Sequence, residues 1–301
     1  MANGNSDLMK FVNADIQKYD GIRMPLKASL IEKALVRRVP MDKLHPNPED
    51  EFSMPEIGPN YGIISSYQQK IIEAQQMGRK PFEEPLMVEK MRPDGYLILN
   101  GHHRWAAARN CHLKNLPVNI INPTQEIDIK KMLAESSHDK RVSFDLDEVI
   151  FYHGESDRHP EKSLGFPFNR IYKEQLRLGV PALFLSLTQS GYDIWVYTSE
   201  YYSLDYIQRL FRHYHVTVNG VVTCVGMKRL KSADKSENLE KLVAKKYPTT
   251  ITVDNESVLL TRSNTKEFGQ FDLSDPTKEW STQVMHVIKT ITTKQQQEEQ
   301  A

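Results

Sequence analysis

The stretch Phe144-Asp145-Leu146-Asp147-Glu148-Val149-Ile150-Phe151 carries two carboxylates, two positions apart, at the end of an apolar run. In a buried parallel strand, both acids would stand where the strand leaves the sheet. Such a pair can hold Mg²⁺ and offer one oxygen as a nucleophile to phosphorus. Taken alone, the pair is more typical of a strand end with two solvated acids, so the residues that follow must decide between the two interpretations.

The chain after Arg141 alternates between short apolar runs and amphipathic stretches. This alternation predicts a parallel α/β sheet with helices on both faces. We expect strands at 142–145, 193–198, 221–225 and 250–254.

Polar groups stand at the ends of two of these strands. Thr198 ends the strand that begins at Asp193, and a hydroxyl with backbone amides at a strand-to-helix junction can hold phosphate oxygens. Asp254 ends the last strand and offers a further carboxylate to Mg²⁺. All these groups belong at the carboxyl ends of parallel strands, where open α/β sheets bind ligands.

A basic cluster lies between these two strands and consists of Lys228, Arg229, Lys231 and Lys235. A lysine here could neutralise a phosphoryl group. We favour Lys235, because it directly precedes a helical-looking segment. Lys231 is the alternative.

The four motifs Asp145-x-Asp147, Thr198, lysine and Asp254, in this order, resemble those of the haloacid dehalogenase-like (HAD) phosphohydrolases over about residues 140–290. The resemblance implies a Rossmann-like parallel sheet and an aspartyl-phosphate intermediate. It makes Asp145 the nucleophile and Asp147 the general acid/base, and it places Thr198 and Lys235 on the phosphoryl group. Mg²⁺ would lie between the Asp145 carboxylate, the Asp147 backbone carbonyl and Asp254.

The intervals between the four motifs leave room for a helix and a strand each, but not for a cap domain. Residues 152–168 could form a flap. Such an uncapped site would admit a bulky substrate. The motifs look like the capless branch that includes phosphatases acting on the RNA polymerase II C-terminal domain. There the first motif usually ends in Thr, where this chain has Val149, so the resemblance does not define the substrate.

A second motif, Asn100-Gly101-His102-His103-Arg104, follows a strand and opens a helix in the N-terminal half. A glycine at such a junction lets backbone amides face an anion, and an arginine can bind a phosphate group through two hydrogen bonds. A purely structural turn is the alternative. With the upstream strand 84–90, the motif resembles the ParB/sulfiredoxin-like domain over about residues 36–123.

This second resemblance implies nucleotide binding at Gly101, His102, His103 and Arg104. Some members of the class are CTPases, kinases or DNA partition proteins. His102 occupies the place of the catalytic cysteine of sulfiredoxins, so we do not expect sulfinic acid reduction. For a kinase-like reaction the candidate acids are Glu51, Glu56 and Glu84.

The composition is that of an ordinary globular protein of 301 residues, with 39 basic and 39 acidic residues. A net charge of zero gives no global electrostatic argument for nucleic acid or an anionic membrane. Cys111 and Cys224 match no metal-ligand spacing. The sequence shows neither a secretory signal nor an apolar stretch long enough to span a bilayer, which predicts a cytoplasmic protein.

These patterns divide the chain into a helical segment (1–35), a small α+β ParB/sulfiredoxin-like domain (36–123), a helical linker (124–140), a HAD-like domain (141–292) and a polar, frayed tail (293–301). The predicted function is Mg²⁺-dependent hydrolysis of a phosphomonoester of unknown class, with a nucleotide or nucleic acid bound at the N-terminal domain. The alternatives are a non-enzymatic nucleotide- or DNA-binding regulator, and a ParB-like kinase coupled to a phosphatase.

Overall fold

The structure is a computed structural model and describes residues 2–82, 84–155, 158–224, 241–263, 267–275 and 278–300. The side chains of residues 2–6 and 295–300 are not part of this description. The chain divides into two compact units, and the division falls between Pro123 and Thr124.

The first unit combines helices with short strands. Its helices are α1 (Ala2–Tyr19), α2 (Leu30–Leu35), α3 (Tyr61–Gln76) and α4 (His102–Asn110). Its strands are β1 (Met24–Pro25), β2 (Arg38–Pro40), β3 (Leu44–His45), β4 (Leu86–Arg92), β5 (Tyr96–Asn100) and β6 (Asn115–Ile120). Single 3₁₀ turns cover Met41–Lys43 and Glu51–Ser53.

The sheet of the first unit has the order β2-β6-β4-β5-β3, and β1 pairs with the end of β4. Pairs β4–β6 and β3–β5 are parallel, and the others are antiparallel. The turn Pro93-Asp94-Gly95 joins β4 to β5. Helix α4 packs its three buried alanines, Ala106–Ala108, and the buried Trp105 into the core of this unit. This packing fixes the start of α4 at the end of β5.

The second unit has helices α5 (Glu126–Glu135), α6 (Phe168–Ile171), α7 (Val180–Gln189), α8 (Leu204–His213), α9 (the helical residues 241–246) and α10 (Trp280–Gln300). Its strands are β7 (Lys140–Asp145), β8 (Phe151–Tyr152), β9 (Gln175–Leu176), β10 (Tyr192–Tyr197), β11 (Gly220–Val222), β12 (Thr249–Val253), β13 (Ser257–Arg262) and β14 (Glu267–Asp272). A single π-helical turn covers Leu146–Ile150.

The main sheet of the second unit has the order β11-β10-β7-β12-β13-β14. Strands β11, β10, β7 and β12 are parallel, whereas β13 and β14 are antiparallel additions at one edge. The four expected strands are present within a few residues of their predicted positions, and the fold is mixed α/β. The chain leaves β7 toward β10 and later returns on the other side of β7 to form β12. This reversal makes the carboxyl ends of β7 and β12 the switch point of the sheet, where such folds bind ligands.

The segment 124–140, which we expected to be a linker, is packed in the structure. Helix α5 lies within it and buries Ile129, Met132 and Leu133 in the core of the second unit. The apolar residues of α5 therefore form a face that packs against the core. At the other end of the unit, the backbone of α10 stays helical to Gln300, where we expected a frayed tail from residue 293.

The segment 152–168, which we expected to form a flap, begins in β8 and ends before β9, and these two strands pair in antiparallel orientation. Strand β8 directly follows the π-helical turn and so begins close to the end of β7. No helix in the described part of the chain is both long and apolar enough to cross a membrane.

Candidate functional site

The register of the main sheet brings three of the predicted residues to one edge. Asp145 is the last residue of β7 and pairs with Tyr197 of β10, so Thr198 follows on the adjacent strand. On the other side, Phe144 pairs with Val253 of β12, so Asp254 follows there. Parallel pairing explains this convergence, because it aligns the carboxyl ends of strands that are distant in sequence.

The π-helical turn after β7 sets the directions of the two acids. Leu146, Val149 and Ile150 are buried and anchor the turn in the core. The backbone amide of Glu148 donates to Oδ1 of Asp145 at 2.8 Å. One oxygen of Asp145 is therefore held by the turn. Its other oxygen makes no hydrogen bond to any residue that the structure describes.

The second acid of the pair contacts Thr198. Oγ1 of Thr198 lies 2.6 Å from Oδ2 of Asp147 and donates to it. The same Oγ1 accepts the amide hydrogen of Glu200 at 3.0 Å. The Thr198 side chain is fully buried, and its hydroxyl is used by these two partners. In this state Thr198 orients Asp147, whereas we expected it to bind phosphoryl oxygens.

The pKa of Asp147 is raised above that of an ordinary aspartate. Burial is the largest cause, and the negative charge of Asp145 adds to it, while the hydrogen bond from Thr198 acts in the opposite direction. A carboxyl group with a raised pKa retains its proton nearer to neutral pH. It can therefore act as a general acid as well as a base.

The loop after β12 is tied to the turn after β7 by residues that our sequence reasoning did not select. The side-chain amide of Asn255 donates to the carbonyl of Glu148 at 3.1 Å. Its Oδ1 accepts from Arg177 at 2.9 Å, and the Arg177 guanidinium lies 4.4 Å from the Trp280 ring centroid. Asn255 thus joins the two strand ends that carry Asp145 and Asp254. Its position directly after Asp254 is the signal that could have identified it.

Only part of the predicted ligand set for Mg²⁺ is arranged for a hard cation. Asp145 and Asp254 offer carboxylate oxygens at adjacent strand ends, which suits Mg²⁺. The carbonyl of Asp147, however, accepts from Nε2 of His153 at 2.6 Å, and the Asp147 carboxylate contacts Thr198. Within the described ranges, no group of three or more His, Cys, Asp or Glu side chains is placed to hold a metal ion.

The basic cluster that should complete the site lies outside the described residues. This applies to the favoured Lys235 and to its alternative Lys231, and also to Lys228 and Arg229. The lysine remains a prediction from the sequence.

The second predicted motif also lies at the end of a strand. Gly101 follows β5 and precedes the first residue of α4 with a φ of +100°, a conformation that favours glycine. A Cβ at this position would lie 2.4 Å from Cδ2 of Leu86 and 3.1 Å from Nη2 of Arg104. No side chain caps the first turn of α4, so its amide groups are suited to face an anion.

The two histidines of this motif hold the loop at residues 47–60. Nε2 of His102 accepts the amide hydrogen of Asn47 at 3.2 Å, and Nε2 of His103 accepts that of Asn60 at 3.0 Å. The ring of Phe52 stacks on His102 and meets His103 edge-on. Both rings are therefore engaged in positioning the loop. Arg104 and the first-turn amides are left as the groups that suit an anion.

Burial keeps His102 neutral. It lowers the pKa of His102 to about 4, although the carboxylate of Asp50 acts in the opposite direction. Nδ1 of the ring lies 3.5 Å from Oδ1 of Asp50. Because Nε2 is an acceptor, the proton of the neutral ring lies on Nδ1. Burial also lowers the pKa of His103.

Arg104 folds back along the turn. Its Nη1 donates to the Glu84 carbonyl at 3.0 Å and to the Glu84 carboxylate at 3.2 Å. The Glu84 side chain is 84% exposed, so an incoming anion could displace it. The other two candidate acids, Glu51 and Glu56, are exposed side chains of the loop before α3.

Glu49 is a residue of this region that we did not predict. Its Oε2 is buried and has no hydrogen-bond partner in the described structure. Its amide donates to Oδ1 of Asn47, the residue that also contacts His102. A buried carboxylate oxygen without a partner is costly, and a catalytic role is one physical explanation for it.

Comparison with known structures gives weak matches. A free serine kinase in complex with AMP shares 12% sequence identity over 78% of this chain and 91% of its own, with a TM-score of 0.21. A mutant of free serine kinase in complex with ADP shares 11% over 84% of this chain and 91% of its own, with a TM-score of 0.22. Scores this low carry no argument about fold or function. No curated protein matches the chain.

The comparison with protein families gives one clear result. The match is to the ParB N-terminal domain and covers residues 26–137. This range includes the whole Gly101–Arg104 turn and extends through α5 of the second unit. The chain therefore contains a ParB N-terminal domain, as the motif at Gly101 predicts.

Proposed function

We propose that the second unit is a HAD-like, Mg²⁺-dependent phosphomonoester hydrolase that acts through an aspartyl-phosphate on Asp145. The observation that carries this proposal is the contact between Thr198 and Asp147 beside Asp145. The switch point of the sheet thereby carries a carboxylate nucleophile, Asp145, and an oriented acid, Asp147.

Asp145 is the group suited to attack phosphorus. The turn fixes its Oδ1 through the amide of Glu148, and its Oδ2 is available for attack. In this step a bond forms between Asp145 and phosphorus, and the bond between phosphorus and the leaving oxygen breaks. The product of the first half-reaction is an aspartyl-phosphate and an alcohol.

Asp147 is the group suited to move protons in both half-reactions. Its raised pKa favours the protonated form, which can donate a proton to the leaving oxygen. The resulting carboxylate can then take a proton from the water that hydrolyses the aspartyl-phosphate. Thr198 keeps the carboxyl group in one orientation during both steps.

The donor chemistry at the strand ends indicates which residues would hold Mg²⁺. Asp145 and Asp254 are the carboxylates that would bind it. A bound Mg²⁺ would neutralise the negative charge of the phosphoryl oxygens.

The test is hydrolysis of p-nitrophenyl phosphate in the presence of Mg²⁺. We expect Asp145→Asn to abolish turnover while circular dichroism and thermal melting stay unchanged. Asp139→Asn is a matched control, since Asp139 is an exposed aspartate just before the opposite end of β7. Activity that survives Asp145→Asn would contradict the proposal, and so would equal losses in both variants.

A second candidate function is nucleotide-dependent phosphoryl transfer by the first unit. Two observations favour it. The first turn of α4 presents uncapped amides beside Arg104, and the buried oxygen of Glu49 could act as a base for an acceptor hydroxyl. The ParB N-terminal match places this turn in a known domain type.

This candidate is tested with ATP and CTP in a binding assay and in a transfer assay with serine and other small alcohols. We expect Arg104→Ala to weaken nucleotide binding at least about tenfold, since a charge-assisted contact to phosphate is lost. Arg79→Ala removes an exposed arginine of the same unit and is the control. Nucleotide binding without transfer to any acceptor would identify a sensor, and no binding at all would exclude both roles.

A further inference from the structure

A row of aromatic rings leads away from the candidate hydrolase site. Phe151 directly follows the π-helical turn, and its ring centroid lies 5.9 Å from that of Tyr202. Tyr202 stacks on Tyr206 at 6.0 Å, and Tyr206 lies 5.0 Å from Tyr172. The contacts continue from Tyr172 to His213 at 5.1 Å and from His213 to Phe168 at 3.9 Å. We call these six residues the aromatic row.

The outer end of the aromatic row is open. Phe168, its last member, is 38% exposed. Phe166 and Ile171, on the same segment, are 73% and 56% exposed. Exposed large apolar side chains that cluster on one short segment are typical of a surface that contacts a partner.

Positive charge surrounds this open end. Arg170 lies over the Phe166 ring, with the guanidinium 5.2 Å from the centroid. Arg170, Lys173 and Arg212 make no ion pair with any residue that the structure describes. Of the neighbouring acids, Asp205 pairs with Arg209, whereas Glu174 accepts a hydrogen bond from Tyr206 and keeps its negative charge. With three such cations against one such acid, the surface carries an excess of positive charge next to exposed rings.

Exposed rings interleaved with unpaired cations suit one class of partner. Unpaired bases stack on aromatic side chains, and the cations neutralise the repeating phosphates of the backbone. A duplex hides the faces of its bases and could use only the cations. We propose that the segment Phe166–Lys173 and the end of α8 bind single-stranded nucleic acid whose terminal phosphate enters the Asp145 site. This proposal rests on the proposed hydrolase and names its substrate class.

Binding and turnover are measured separately to test it. Binding of a labelled oligothymidylate with a terminal phosphate is followed by anisotropy with the Asp145→Asn protein, which cannot turn it over. Hydrolysis of the same oligothymidylate and of p-nitrophenyl phosphate is measured without the Asp145 substitution. The test variant is Phe166→Ala/Arg170→Ala, whose residues lie outside the catalytic groups.

We expect the double variant to raise the Kd and the KM for the oligothymidylate about tenfold or more, because one stacking ring and one phosphate contact are lost. The kinetics with p-nitrophenyl phosphate should not change. The salt dependence of binding should become shallower by about 0.7 in the slope of log K against log salt. Phe268→Ala/Lys289→Ala is the matched control, an exposed ring and an exposed cation elsewhere on the same unit.

The possible outcomes are distinct. An oligothymidylate Kd that both double variants leave unchanged would overturn the proposal. A phosphopeptide that is bound through the same two residues, in place of the oligonucleotide, would also overturn it. If oligothymidylate binding depends on Phe166 and Arg170 but the protein hydrolyses neither substrate, the binding surface would be supported and the proposed hydrolase function would be refuted.

Discussion

The two candidate sites of this chain occupy the same kind of junction but differ in how they are assembled. Asp145 ends β7 and Gly101 follows β5, and in both cases a helical turn begins at once. At β7, parallel neighbours bring Thr198 and Asp254 to the same edge from far along the chain. At β5, the motif residues are contiguous, and the loop at 47–60 completes the site.

This difference decides the chemistry that each site supports. Aligned strand ends bring acids and a hydroxyl to one edge of the sheet, where Thr198 contacts Asp147, and burial raises the pKa of Asp147. The contiguous motif instead supplies backbone amides, one arginine and two neutral histidines. The first arrangement suits bond making and proton transfer, whereas the second suits the binding of an anion.

Among the substitutions that test this difference between the two sites, Asp147→Asn is expected to have the largest effect. The amide can neither donate an acidic proton nor accept one, so we expect kcat for p-nitrophenyl phosphate to fall about 10²- to 10⁴-fold. Nucleotide affinity of the first unit should stay the same. A parallel loss of nucleotide affinity would show that the two sites are not independent.

A smaller effect is expected from acid, and it is specific to the first unit. Between about pH 4 and 6.5 the unfolded chain protonates His102 while the folded chain does not, so the free energy of unfolding falls as the pH falls through this range. The loss approaches about 3 kcal/mol near pH 4, because 2.5 pKa units correspond to about that amount.

His102→Gln tests this effect, since glutamine keeps an acceptor for the Asn47 amide but does not titrate in this range. We expect urea unfolding of the variant to show a weaker pH dependence than that of the unsubstituted protein. The same pH dependence in both proteins would show that His102 is not held neutral by the fold.

The smallest effect is expected from Thr198→Val, which tests whether the hydroxyl orients Asp147. A hydrogen bond to a charged group contributes about 1.5–3 kcal/mol, so we expect kcat to fall about 10- to 150-fold with little change in KM. Thr198→Ser keeps the hydroxyl and should retain most of the activity. A rise in KM without a fall in kcat would instead assign Thr198 to phosphate binding, the role that the family resemblance implies.

Much of this architecture was predictable because it depends on local pattern. Alternation of apolar runs with amphipathic stretches located β7, β10, β11 and β12 to within a few residues. The glycine at position 101 located the turn before α4, because only glycine adopts the backbone conformation there without strain. The match to the ParB N-terminal domain agrees with that motif.

Other features could not be read from local pattern, because they depend on contacts between distant residues. The apolar face of α5 is the same whether the helix is a linker or part of a core, and only its burial in the second unit decides. Asn255 gains its role from contacts with Arg177 and the carbonyl of Glu148, which are far away in sequence.

Local sequence pattern was enough to place the candidate site residues at strand ends, since the two-residue period of a strand and the glycine before α4 are local properties. The same pattern showed that the pair Asp145 and Asp147 stands where a buried strand leaves the sheet. The burial of Thr198 against Asp147 and the neutral state of His102, by contrast, followed from the packing of the folded chain. Hydrogen bonding and desolvation depend on what surrounds a group, and those surroundings exist only after distant segments have packed together.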